Sequence, residues 1–311
     1  MSSGSSKTSI YAAMAANVAI GIAKFIGAYL SGSSAMLSEG IHSVVDSVNE
    51  VLLLYGLKQS ETAPDEKFPL GRGQELYFWS LMVAVLIFAL GGGISILQGV
   101  QILQHPEPAS SPFVSYCVLG AAALFEGAAL AVSIQEFKKA QTSPDMGLWR
   151  AIGKSKDPSA FIVIVEDSAA LVGLGIAFSG VWLSEFTGNP GYDAIASIAI
   201  GGLLTVVATA LVAKTKGLLI GESASPETRN SIKTIVCSDE AVSASESPIT
   251  LHLGPQDVLL ALNIEFNDGL SSDDIEAAVR RIEQKIRDTH GDVKRIFIEA
   301  ASVIKKPQEK T

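Results

Sequence analysis

Apolar residues run in long blocks through the first two thirds of the chain, then give way to short alternating stretches in the last third. Six blocks, approximately 9–30, 35–57, 76–103, 113–137, 160–183 and 194–213, reach the roughly 20 residues that a helix needs to cross a hydrocarbon core. Turn-forming runs such as Ser31-Gly32-Ser33-Ser34 and Thr187-Gly188-Asn189-Pro190-Gly191 separate some of them. Beyond residue 218 the period changes. Ser225-Pro226-Glu227 reads as a helix N-cap, a proline at the first helical position and an acid in the first turn. Strands are expected over 249–253 and 258–266, the second with Leu260, Leu262, Ile264 and Phe266 on one face and Ala261, Asn263 and Glu265 on the other. Ser271 or Ser272 can cap a longer helix with Ile275, Val279, Ile282 and Ile286 as its stripe, and 293–300 supplies a last strand. The expected fold is an α-helical membrane protein: a six-helix transmembrane bundle over 1–218, a small α+β, ferredoxin-like cytoplasmic domain over 219–305, and a tail over 306–311.

Composition agrees, with 48% hydrophobic residues and a mean hydropathy of +0.35. The basic residues set an orientation. Lys7, then Lys58, Lys67 and Arg72, then Lys138, Lys139, Arg150, Lys154 and Lys156, then Lys214 and Lys216 fall in alternate connections, whereas those near Ser31, Pro106 and Asn189 hold no Lys or Arg. By the positive-inside rule both termini are cytoplasmic, in a cell (inner) membrane. No basic region precedes the first apolar block, so that block is expected to be a permanent span and not a cleaved signal. The net charge of −9 comes mostly from the polar last third and leaves no basic stripe for nucleic acid. Cys117 and Cys237 lie in different regions and make no disulfide framework. Metalloprotease, nucleophile-elbow and phosphate-loop motifs are missing, so no enzyme activity or cofactor is expected, and transport would draw on an ion gradient.

The chemistry lies inside the apolar blocks. The second carries Glu39-Gly40-Ile41-His42-Ser43-Val44-Val45-Asp46, and His42 and Asp46, four apart, share one helix face. An Asp in mid-membrane costs roughly 2.5–3.5 kcal/mol on insertion scales, so something must offset it. The fifth block holds the adjacent acids Glu166 and Asp167, which cannot both be ionised there without a cation or strong donors. An imidazole and two carboxylates suit zinc, and also iron, cobalt or manganese. Lys24 could snorkel or pair with an acid, and Glu39, Glu50 and Glu126 could line an aqueous path or reach water. Gly91-Gly92-Gly93, Gly173 and Gly175 suit close helix packing. His252 and His290 are isolated, which favours structural roles.

The run from Ser31 to Asp46 resembles the second-helix signature of the cation diffusion facilitators, and Pro69-Leu70-Gly71-Arg72-Gly73-Gln74-Glu75 resembles the segment that opens their third helix. The resemblance covers essentially the whole chain. It implies a homodimeric exporter of zinc or a similar divalent ion, working by alternating access with proton antiport. It further implies a transport site from two positions four apart on each of helices two and five. The first pair lands on His42 and Asp46; the second falls on Val163 and Asp167, with Glu166 beside it as a substitute ligand. Where many members carry loop histidines this chain has Phe68 and Arg72, and the last third lacks a histidine cluster. The rival is a non-transporting membrane sensor or scaffold acting through its cytoplasmic domain, a reading that Val163 favours.

Overall fold

The computed structural model describes residues 18–105, 112–140 and 147–301. The first half of the expected first span, the connection near Pro106 and the tail over 306–311 lie outside the described residues. Those described divide into two compact units, one comprising 18–58 with Leu76–Lys216 and the other Gln59–Glu75 with the chain from Gly217 onward.

The first unit is helical: α1 (Val18–Ser31), α2 (Ser34–Ser60), α3 (Glu75–Gln104), α4 (Pro112–Ala140), a short α5 (Leu148–Lys154), α6 (Pro158–Thr187) and α7 (Gly191–Leu219). Of these, α3, α4, α6 and α7 are long and apolar enough to cross a membrane. Helix α2 has the length, 27 residues, but carries Glu39, Asp46, Glu50 and Lys58. Its faces are inverted relative to a water-soluble helix. Ser38, Glu39, His42, Ser43 and Asn49 are buried, while Val44, Val48, Val51 and Leu54 are exposed. An apolar outside around a polar inside suits a hydrocarbon solvent, which satisfies no polar group.

Small residues let the helices approach. A Cβ on Gly92 of α3 would stand 2.6 Å from Thr205 Oγ1, and one on Gly201 of α7 would stand 2.8 Å from Gly92 O, so any larger residue must push α3 and α7 apart. The same stretch of α3 widens into a π-helical segment over Ile87–Gly93. A Cβ on Gly175 would meet nothing within 4 Å among the described residues, so the packing role expected there is not seen among them. The start of α2 is fixed by α7. Asp193 accepts from Ser33 Oγ at 2.6 Å, Ser34 N at 2.6 Å, Ser34 Oγ at 2.9 Å and Ala35 N at 3.4 Å. A carboxylate there satisfies otherwise orphaned N–H groups and the positive end of the helix dipole. Helix α5 had no signal in the periodicity; Lys214 closes it by donating to the carbonyls of Ile152 and Gly153.

In the second unit, α8 (Pro226–Cys237) and α9 (Ser272–Thr289) accompany β1 (Val242–Ser245), β2 (Ile249–Gly254), β3 (Asp257–Phe266) and β4 (Val293–Ala300). β3 is central. β2 and β1 pair antiparallel with its first and second halves, and β4 pairs parallel with it after the α9 crossover. Val258, Leu260, Leu262 and Ile264 point inward with Ile232, Val236, Ile282 and Ile286 to make the core. Ser271, not Ser272, is the N-cap of α9, in a reciprocal capping box with Asp274. β1 was not expected, since Val-Ser-Ala-Ser shows no apolar alternation.

Arg281 grips the buried Asp239 with two hydrogen bonds, 2.8 and 3.1 Å, and these hold its carboxyl below the usual range. A carboxyl depressed in the folded state contributes stability above its unfolded value of about 3.9 and loses it as pH falls through the folded value. The expected outcome is that Asp239→Asn lowers the urea midpoint of this unit at pH 7 but flattens its decline below about pH 4. Parallel declines in the two proteins would exclude the pair as the cause.

Candidate metal centre

Helices α2, α4 and α6 supply the acids. Along α2 the four-residue spacing stacks His42, Asp46 and Glu50 on consecutive turns. His42 Nδ1 stands 3.4 Å from Asp46 Oδ1, and His42 is almost wholly buried. That distance lacks hydrogen-bond geometry, and neither ring nitrogen has a hydrogen-bond partner among the described residues. An imidazole buried with Nδ1 in contact only with Asp46 and Nε2 without a hydrogen-bond partner among the described residues is an available ligand.

Asp46, Glu50, Glu126, Glu166 and Asp167 line one cavity of about 30 Å3, together with Ser43 and Val163. That is space on the order of a single water or ion. Val163 occupies the wall one turn before Asp167, so the position that could have carried a fourth ligand is apolar. Glu166 and Asp167 are adjacent, about 100° apart around the helix, yet both reach the cavity. They are held differently: Asn49 Nδ2 donates to Glu166 Oε1 at 2.6 Å, and Ser133 Oγ of α4 donates to Asp167 Oδ2 at 3.2 Å. Asn49 and Ser133 carried no signal in the sequence, because amide and hydroxyl side chains are common in helices and only the fold brings them to these carboxylates.

Three of the four anticipated ligands, Asp46, Glu166 and Asp167, therefore share one cavity, and His42 adjoins it through Asp46. As placed, no three His, Cys, Asp or Glu side chains among the described residues converge closely enough to hold an ion. A metal ion would have to draw them together.

Lys24 of α1 does not snorkel. It is fully buried, with Nζ 2.8 Å from Ser43 Oγ, 3.3 Å from Glu39 Oε2 and 3.5 Å from Glu126 Oε1. Elsewhere the expected histidine-free places are structural. In the second unit Arg72 bonds Asp65 at 2.7 Å and lies over the Phe68 ring. His252 is buried, with Nδ1 3.4 Å from Gly254 O, and His290 pairs with Ser231 at 2.9 Å.

Residues 10–220 match the model of the cation efflux transmembrane domain. The chain is 34% identical over 268 residues to the proton-coupled zinc antiporter SLC30A9, mitochondrial, of Xenopus laevis, covering 84% of this chain and 48% of that protein. The human protein of the same name is 34% identical over 244 residues, 78% of this chain and 43% of its own length. Metal tolerance protein C4 of Arabidopsis thaliana is 35% identical over 262 residues, 84% of this chain and 57% of that protein. The chain thus spans about half the length of these curated relatives. With the match running through α1 to α7 and so enclosing every helix that lines the acidic cavity, the chain belongs to the cation efflux family.

Proposed function

We propose that the chain exports a divalent metal cation, zinc first, with manganese, iron and cobalt as alternatives, in exchange for protons by alternating access. The observation that carries this is the small cavity that Asp46 of α2 and Glu166 and Asp167 of α6 line together, inside helices whose outward faces are apolar. His42, Asp46 and Asp167 are the ligands, with Glu166 or water completing the shell. Relatives named as zinc antiporters and metal tolerance proteins support the cargo. The Lys- and Arg-bearing connections support a cytoplasmic side for both termini and the second unit, in our reading within a cell membrane; the animal relatives are named as mitochondrial. A homodimer fits the second unit, whose Ile249 and Phe297 are exposed and whose core is small.

Uptake by inverted vesicles across zinc, manganese, iron(II) and cobalt tests the reading. Accumulation of at least one metal above empty-vesicle background is expected, zinc most strongly. No accumulation of any of them, with the protein shown to be folded and inserted, would favour the sensor or scaffold to which Val163 points.

A further inference from the structure

Lys24 is surrounded as a bound cation is. Its ammonium meets oxygens from α2 and α4 (Ser43 Oγ at 2.8 Å, Glu39 Oε2 at 3.3 Å, Glu126 Oε1 at 3.5 Å), with Lys24, Glu39 and Ser43 all buried. Taking an ion pair out of water costs several kcal/mol per ion and is recovered only when the remaining polar atoms are satisfied. Here they are not. Glu39 Oε1 is buried without a hydrogen-bond partner among the described residues, and it lies against Gly173 of α6, where a Cβ would come within 2.6 Å of it.

Glu126 also lines the cavity of Asp46, Glu166 and Asp167. The Lys24 cluster and the metal centre are therefore contiguous and share an acid. His42 lies one turn along α2 from Glu39, its nitrogens without hydrogen-bond partners among the described residues. We propose that Glu39, Ser43 and Glu126 form a second divalent-cation site beside the metal centre, which the Lys24 ammonium fills in the metal-free protein and yields when an ion moves into it. Lysine suits that part: it is a compact point charge on a flexible stem, so it can vacate the oxygens by rotation alone. The carboxylates and hydroxyl that remain are hard oxygen donors, with His42 within one turn as a softer one. The two sites together make a path on which the ion passes from one acid set to the next through Glu126. This rests on the reading of Asp46 and its neighbours as the transport centre, and separate variants test the two.

The experiment is equilibrium dialysis of the purified full chain in detergent against cobalt(II) alone, with the bound metal counted per chain. The parent is expected to bind one equivalent, lost in Asp46→Asn. Lys24→Met is expected to bind two, the second lost on adding Glu39→Gln and retained on adding Asp46→Asn. If Lys24→Met fails to fold, Lys24→Gln replaces it, since its amide still donates to Ser43 while removing the charge. A single equivalent in a folded Lys24 variant, or a second one indifferent to Glu39→Gln, overturns the proposal. A parent that binds no cobalt fails the reading of the transport centre, and a Glu39-dependent equivalent gained in Lys24→Met would still uphold the second site.

Discussion

Zinc binding to purified Asp46→Asn is expected to be on the order of 100-fold weaker than to the parent, with vesicle uptake at background. Removing even a residue that only supports a metal ligand typically costs 10–100-fold, so losing a ligand should reach the upper end or beyond. Asp167→Asn should behave alike, because both acids face the cavity that also holds Glu166. The loss should be one of binding rather than folding. Asparagine matches aspartate in size, and neutralising one of five carboxyl groups around one small cavity removes like-charge repulsion. The melting temperature in detergent without metal should therefore stay the same or rise. His42→Ala should weaken binding by a smaller factor, since His42 borders the cavity only through Asp46. Unchanged affinity in all three variants would remove these residues from the metal centre.

The asymmetry between α2 and α6 shows what sequence spacing can and cannot carry. His42 and Asp46 are local to one helix, so a four-residue spacing is enough to stack them. Asp167 was legible because an acid in an apolar block is costly wherever it sits. Glu166 was legible as a substitute beside Asp167, but the partner that holds its carboxylate, Asn49 from 117 residues away, was not. The same holds for Lys24: its charge was visible in the sequence, and its three oxygen neighbours are tertiary. The spans expected over 35–57, 76–103, 113–137 and 160–183 were placed to within about four residues at each end, and the last, expected over 194–213, runs on to Leu219. β1 was missed because a four-residue strand of Val, Ser and Ala is held by its pairing with β3 and not by its own pattern. The segment Gln59–Glu75 read as a connection between spans, yet it groups with the C-terminal unit, where a Cβ on Gly73 would collide with the Leu253 carbonyl. Gly73 fits there because it has none, a contact no motif announces.

Collapsing the proton gradient should abolish uphill zinc accumulation in inverted vesicles, leaving only equilibration with the outside concentration. The expectation follows from what the ligands require. Carboxylates coordinate when ionised and imidazole when neutral, so protons and metal compete for the same atoms. Asp46, Glu166 and Asp167 line one cavity of about 30 Å3, so an ion held there and protons would draw on the same few oxygens. An ion entering from one side must displace protons, and an ion leaving on the other lets protons return. With an imposed gradient, acid inside, zinc should rise above the outside concentration, and an ionophore that dissipates the gradient should release the excess. Each tenfold of proton gradient is about 1.4 kcal/mol per proton exchanged, so a two-unit gradient exchanged for one proton could sustain about a hundredfold zinc ratio before any charge term. The coupling should pass through His42. His42→Asp replaces a group that is cationic when protonated with one that is neutral, and so should shift the pH at which uptake is half-maximal toward acid. Accumulation to the same final ratio with the gradient collapsed would exclude proton exchange as the driving reaction, while leaving the metal centre itself intact.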